Sequence, residues 1–325
     1  WMILILGWVF VPFYTRSMVY TMPEFLERRY NKESRTILSV ISLISYVLTK
    51  VAVTVYAGGL VFQQVFGIKE LWGIDFFWIA AIGLVLITAL YTIFGGMKSV
   101  LYTSVLQTPI LLLGSIIILV LGLKAVGGWD QVMQICSAEP VNEYGDKMTD
   151  LMRDLRDPQY PWLGALVGSA VIGFWYWCTD QFIVQRVLSG KNEKEARRGT
   201  IFGAYLKLLP VFIFLIPGMI AYALNAKSGG AFLPVDANGV AISDAAFPTL
   251  VAKLLPAGFK GLVVCGILAA LMSSLASLFN SSAMLFTIDF YKRLRPQTSE
   301  KSLVRIGQIA TVVIVILGIL WIPIM

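Results

Sequence analysis

The sequence contains no histidine and only three cysteines in 325 residues. Without histidine there is no imidazole to hold a metal or to act as the base of a Ser-His-Asp triad. Cys136, Cys178 and Cys265 share no close spacing, so neither a zinc site nor a disulfide framework is indicated. Charge is scarce too. Asp, Glu, Lys and Arg make up 14% of the chain, against about 25% in an ordinary soluble domain. Phosphate loops, a nucleophile beside its base and the paired carboxylates of a hydrolase are all missing, which argues against an enzyme and predicts no cofactor.

What fills the chain instead is apolar. Hydrophobic residues account for 58% of it. The runs Trp78–Thr92, Val100–Leu123, Gly203–Ala223, Gly258–Leu271 and Ile306–Met325 approach or reach the ~20 residues that cross a hydrocarbon layer about 30 Å thick. The pattern predicts an all-α integral membrane protein with about eight transmembrane helices, at 1–14, 37–66, 75–95, 99–123, 162–184, 199–224, 258–290 and 303–325. These form a single transmembrane domain over 1–325. The second and seventh are longer than one crossing needs, which predicts tilt or a kink. Trp1 and Met325 both lie inside apolar runs, so the chain reads as a piece cut at both ends.

Between the first two helices, Thr21 can cap, Pro23 suits a first turn and Glu24 lies early, which predicts a short interfacial helix. Gly95-Gly96 reads as a tight turn between the third and fourth helices. The connections 125–160 and 226–257 are polar and carry no separate domain; within the second, Ala246–Leu255 reads as a short surface helix.

The net charge of +7 does not point to nucleic acid, because the basic residues sit between apolar spans rather than on one soluble face. Sixteen of the 26 Lys and Arg fall in one set of short loops, around Arg16–Arg35, Lys98, Arg186–Arg198 and Lys292–Arg305; eight fall in the opposite loops. That bias marks the first set as cytoplasmic. Lys50 and Lys207 are left over, inside spans.

Lys207 lies about eight residues into its helix, roughly 12 Å deep at ~1.5 Å per residue. An ammonium there costs at least ~2.5 kcal/mol unless it meets a partner or a wet cavity, the alternative being that it snorkels to the interface. Lys50 has the same two readings. Ala270, Ser273 or Ser274, Ser277 and Ser281 share one helical face. Their hydroxyls, with a backbone carbonyl, are hard neutral ligands for a weakly held sodium ion; a small-residue packing seam explains the same spacing. Trp175-Tyr176-Trp177 offers aromatic faces for a sugar ring or a gate, or else an interfacial belt. Asp180 and Gln181 beside it argue against a purely lipid-facing helix, and Asp180 with Arg186 reads as a structural ion pair near the cytoplasmic end.

At these residues the chain strongly resembles the sodium:solute symporter family, in its sodium/glucose cotransporter branch. The matching strings are Tyr20-Thr21-Met22-Pro23-Glu24-Phe25-Leu26, Ala89-Leu90-Tyr91-Thr92-Ile93-Phe94-Gly95-Gly96, Trp175-Tyr176-Trp177-Cys178-Thr179-Asp180-Gln181, Tyr205-Leu206-Lys207-Leu208, and Ser273-Ser274-Leu275-Ala276-Ser277 with Phe286-Thr287-Ile288-Asp289. They recur in family order over nearly the whole chain.

The resemblance implies a LeuT-type inverted-repeat transporter core, with substrate and ion near the midplane. About 1–123 would supply the last four helices of repeat one, and about 162–325 the first four of repeat two. It implies that Lys207 contacts the sugar, that Tyr176 closes the pocket from the cytoplasmic side, and that Trp177 lines it. It further implies sodium at the Ala270 carbonyl, Ser273 and Ser274. Gly173 stands where relatives have an Asn or Thr that contacts sugar. Ser104 stands at a common Asp, and Ala276 at the Thr of animal sugar transporters, both positions tied to a second sodium. Ser104, Asp180, Gln181 and Arg186 are expected to form a cytoplasmic-side polar network.

The function this implies is import of a glucose- or galactose-like sugar by alternating access, with one sodium per sugar as the coupling ion, in the cell membrane (the inner membrane if the source is bacterial). Two rivals remain: a sodium-coupled carrier of another solute such as myo-inositol, and a sugar-gated sodium sensor.

Overall fold

The computed structural model describes residues 1–236 and 238–324 and is almost entirely helical. Helix α1 runs Met2–Ser17 and meets the interfacial helix α2, Met22–Arg29, at 75°. Thr21 caps α2 as its sequence foretells, accepting from the Glu24 amide at 3.2 Å. Helix α3 starts at Lys32 under the Asn31 side chain, passes through a π turn at Tyr46–Val51 and continues over Ala52–Phe66. A two-residue hairpin not foreseen from the sequence, Glu70–Leu71 with Ile74–Asp75, leads into α4.

Helix α4 spans Phe76–Val126, 51 residues, with one non-helical residue inside it. At ~1.5 Å per residue that is roughly 77 Å, enough for two crossings. The break is Gly96, with φ 53° and ψ −151°. A side chain there is strained wherever it points, since this region of backbone space belongs to glycine. Gly96→Ala is expected to cost about 1–3 kcal/mol, read as a lower thermal midpoint of the solubilised full-length protein; an unchanged midpoint would mean that the turn relaxes elsewhere.

On the opposite side of the membrane lies α5, Trp129–Cys136, a short helix inside the polar connection 125–160. Further along this connection Arg156 bonds Asp154 at 2.9 Å and pulls its carboxyl down to about 2, so the pair stays charged at neutral pH. Helix α6, Trp162–Thr179, ends in a π turn over Phe174–Thr179, and α7, Gln181–Leu188, follows after one extended residue. The expected continuous helix 162–184 is therefore two. Helix α8, Glu193–Leu206, gives way at Lys207-Leu208 to a π turn at Val211–Leu215 and to α9, Ile216–Lys227. Pro210 has no N–H to bond the Leu206 carbonyl, which weakens the helix where the break occurs.

Helix α10, Ala246–Leu254, forms where a short surface helix is expected, but Leu250 and Val251 are fully buried, so it is packed down. Helix α11, Ala257–Leu285, extends through a π turn at Phe286–Tyr291 to Leu294, and α12 covers Glu300–Trp321. Six helical segments are long and apolar enough to cross a membrane, and the bent pair α1 and α2 adds a seventh. Counting α4 twice gives the eight spans expected, so this is a multi-pass membrane protein.

Three buried clusters hold these helices. Tyr46, Val51, Leu84, Leu275, Phe279 and Ile314 join α3, α4, α11 and α12. Ile118, Ile220, Leu250 and Val263 join the second half of α4 to α9, α10 and α11. Leu6, Tyr14, Val184 and Ala196 join α1, α7 and α8. Many outward residues are large and apolar, such as Leu166 and Val171, as a hydrocarbon surround requires. The first and third clusters meet at the α6–α7 break.

Candidate functional site

Asp180 sits alone between α6 and α7 in extended conformation, with φ −72° and ψ 125°. An Asp suits this position, because its carboxylate caps the new helix by accepting from the Phe182 amide at 3.1 Å. The Tyr46 hydroxyl and the Lys50 ammonium, both from the π turn of α3, also donate to that carboxylate. Its side chain is 1% exposed and that of Lys50 19%. The π turn frees backbone groups as well, and Tyr14 Oη donates to the Cys178 carbonyl at 2.7 Å.

The expected Asp180–Arg186 ion pair is therefore absent: Asp180 pairs with Lys50. This settles Lys50, which does not snorkel. Its Nζ lies 4.5 Å from the Tyr46 ring centroid, 5.2 Å from Trp175, 5.5 Å from Tyr176 and 5.3 Å from Phe182. The charge thus has a carboxylate on one side and four aromatic rings around it, a favourable setting for a desolvated ammonium. The helical spacing of Tyr46 and Lys50 in the sequence is the signal that would have linked them.

Lys207 takes the C-terminal position of α8, where its backbone turns out of the helix. Its Nζ stands 5.2 Å over the Trp177 ring. Trp177 and Tyr176 meet edge to face, their centroids 5.0 Å apart. Lys207, Trp177 and Tyr176, singled out separately in the sequence, are thus brought together where α6 and α8 both break. Gly173 lies one turn earlier on α6, close against α1: a Cβ there would come within 2.8 Å of Met2 Cγ. The structure thus gives Gly173 a packing role against α1.

Helix α11 changes character along its length, the glycine contacts preceding the serine stripe. Toward its start, Gly266 would place a Cβ 3.1 Å from the backbone of Leu111, and Gly114 faces Val263, which is a packing seam. From Ser273 onward the contacts are polar. Ser273 Oγ lies 2.8 Å from Ser104 Oγ of α4. Ser277 Oγ donates to the Ser273 carbonyl at 2.9 Å and Ser281 Oγ to the Ser277 carbonyl at 2.6 Å. Ala270 and Ser274 are half-buried on the same helix. Seam and polar ladder thus occupy successive stretches of one helix.

The four residues expected to form one cytoplasmic-side network fall into three groups. Asp180 goes with Lys50 and Tyr46. Arg186 donates to the Ser277 hydroxyl and to the Ser273 carbonyl, the latter at 3.2 Å, and so joins Ser104 through Ser273. Gln181 accepts from the Met22 amide at 2.8 Å and donates to the Tyr20 carbonyl at 3.3 Å, anchoring α2. Asp289 has no role in the sequence reading beyond its motif. It binds Thr21 Oγ1 and Arg35 Nε, each at 2.8 Å, and Ser39 Oγ at 3.2 Å, tying α2, α3 and α11 together.

Known proteins resemble this chain along nearly its whole length. The chain is 40% identical over 337 residues to the sodium/myo-inositol cotransporter 2 of Bos taurus, covering 99% of this chain and 49% of that protein. It is 39% identical over 340 residues to a Bos taurus sodium/mannose cotransporter, 100% of this chain and 56% of the relative. A third relative, the sodium/glucose cotransporter 4 of Danio rerio, is 39% identical over 339 residues, 100% and 50%. The chain spans about half the length of these relatives. Among solved structures it superposes on a Na+-coupled sialic acid symporter in a substrate-bound outward-open state, with a TM-score of 0.84 and 23% identity over 99% of this chain and 66% of that one. That likeness gives the fold, a LeuT-type core. The family model described as the sodium:solute symporter family matches residues 1–325, and with relatives at this level of identity the chain belongs to that family.

Proposed function

We propose that the chain forms the transport pathway of a sodium-coupled symporter that imports a sugar or a cyclic polyol across the cell membrane by alternating access. The carrying observation is the Lys207 ammonium poised over Trp177, with Tyr176 at right angles beside it. Aromatic faces cover the C–H side of a polyhydroxylated ring, while an ammonium donates to its hydroxyls. The relatives' names support this class, since myo-inositol, mannose and glucose are all rings of hydroxyls. On this reading about 1–123 belongs to the first inverted repeat and about 162–325 to the second.

Sodium is held by the Ala270 carbonyl and the Ser273 and Ser274 hydroxyls, and it favours the outward-open state. The sugar then binds Lys207, the site closes, and release proceeds past Tyr176. Coupling requires that ion and sugar prefer the same conformations. One sodium accompanies each sugar, because Ser104 and Ala276 supply neither a carboxylate nor a second hydroxyl for another ion. Gly173 brings no side-chain hydrogen bond, which leaves the choice of ring to the remaining polar groups.

The test is uptake of labelled glucose, galactose, mannose and myo-inositol by the full-length protein in proteoliposomes, with an inward sodium gradient or with potassium in its place. Lys207→Ala is expected to raise the half-saturating solute concentration about 10- to 100-fold, as loss of a charge-assisted hydrogen bond of ~1.5–3 kcal/mol requires. Sodium-driven accumulation of none of these solutes would overturn the sugar or polyol reading. A sodium current evoked by solute without accumulation would make the protein a sensor.

A further inference from the structure

Arg186 brings a full positive charge into the serine ladder of α11, and the transport cycle above does not use it. Its terminal nitrogen is tied to the Ser277 hydroxyl and to the Ser273 carbonyl. Its Nε is buried without a partner, and among the described residues Arg186 enters no ion pair. The Phe182 ring, 5.6 Å away, faces the guanidinium. A buried charge without a counter-charge is unfavourable, so its influence on nearby charges is correspondingly strong. Ser273 is the point of contact: it bonds Arg186 through its carbonyl, reaches Ser104 through its hydroxyl, and precedes Ser274 in the chain.

We propose that Arg186 is a tethered cation that weakens sodium binding at Ser273 and Ser274 and thereby drives release of the ion toward the cytoplasm. Like charges repel most where neither water nor salt screens them. The neighbouring residue extends the polar trail: Gln185 Nε2 donates to the Ser277 carbonyl at 3.2 Å and to the Ser281 hydroxyl. Gln185 also lines, with Asn280, a cavity of about 850 Å³ bordered by Gly95, Lys191 and Lys292, the two lysines belonging to the loops whose basic excess marks the cytoplasmic side. Gln185, next to Arg186 in the chain, thus links the serine ladder to that cavity, which offers the ion a route out. Because α7 begins at the Asp180 break, a movement of α7 against α11 shifts the charge relative to the ion. Binding strength would then change with conformation, as release requires.

The inference rests on the sodium reading of the two serines. Its test compares Arg186→Gln and Arg186→Lys in the full-length protein in proteoliposomes, measuring the half-saturating sodium concentration and the maximal rate of solute uptake separately. Arg186→Gln is expected to lower half-saturating sodium about tenfold and to reduce the maximal rate, while Arg186→Lys stays within about twofold of the parent. A residue that merely supports the fold would lower the rate and leave the sodium dependence unmoved. Unchanged or raised half-saturating sodium in Arg186→Gln overturns the proposal. If that variant does not fold, Ser277→Ala serves instead: loosening the tether is expected to lower half-saturating sodium at least threefold, and no change overturns the proposal equally. Parent uptake that needs no sodium would sink the underlying sodium reading instead, which this assay registers before any variant is made.

Discussion

Lys50→Met in the full-length protein is expected to lower the thermal midpoint sharply and to abolish solute uptake. The substitution leaves the Asp180 carboxylate 1% exposed, with only the Tyr46 hydroxyl and the Phe182 amide to satisfy it. Breaking one side of such a pair costs about 3–5 kcal/mol, because the remaining charge stays buried and uncompensated. Asp180→Asn should be similarly harmful, since it strands an ammonium among four rings and weakens the cap of α7. The double variant Lys50→Met with Asp180→Asn removes both charges, and it is expected to be more stable than either single variant. A double-mutant cycle on thermal midpoints measures this coupling. Strictly additive effects would mean that the contact carries no energy of its own. Uptake need not return with stability, because the π turn, the break and the aromatic cluster of Trp175, Tyr176 and Phe182 all meet at this one junction.

The second large effect concerns the ion. Ser273→Ala combined with Ser274→Ala removes both proposed side-chain ligands of sodium and is expected to raise half-saturating sodium about 100-fold. Each single variant should raise it about tenfold. If each hydroxyl contributes ~1.4 kcal/mol, these are the corresponding factors. Both effects are read from sodium titrations of solute uptake, with binding of the solute at zero sodium as the control. Ser273→Ala has a further consequence, since it leaves Ser104 facing a methyl group across the gap now bridged at 2.8 Å. Sodium dependence unchanged in the double variant would remove α11 from the ion site.

The spans were plain in the sequence because a membrane imposes length and apolarity, and both can be counted. Gly96 and Thr21 were plain for local reasons: the one is needed for a positive φ, the other for a cap. The two helix breaks were hidden. Asp180 lies inside an apolar window, and only its partners on α3, 130 and more residues away in sequence, explain why a carboxylate can sit there. The choice of Arg186 as its partner followed sequence proximity, which the turn of α7 defeats. Lys50 was ambiguous for the same reason, because snorkelling and pairing look alike until the neighbouring helices are in place. The serine stripe supports two readings in the sequence because small residues and hydroxyls at this spacing serve a packing seam and a ligand set alike.

Five π turns lie along the described helices, at Leu6–Phe10, Tyr46–Val51, Phe174–Thr179, Val211–Leu215 and Phe286–Tyr291. Each holds roughly one residue more than the α-helix around it, and one residue rotates everything downstream by about 100°. Removing a single residue from Phe174–Thr179 would let the helix close into regular geometry while turning Asp180 and the start of α7 away from Lys50 and Tyr46. For this chain a deletion in a membrane helix is thus a different kind of lesion from a substitution. It changes the register of every residue beyond it at once, so the count of residues between two points carries information that their identities do not.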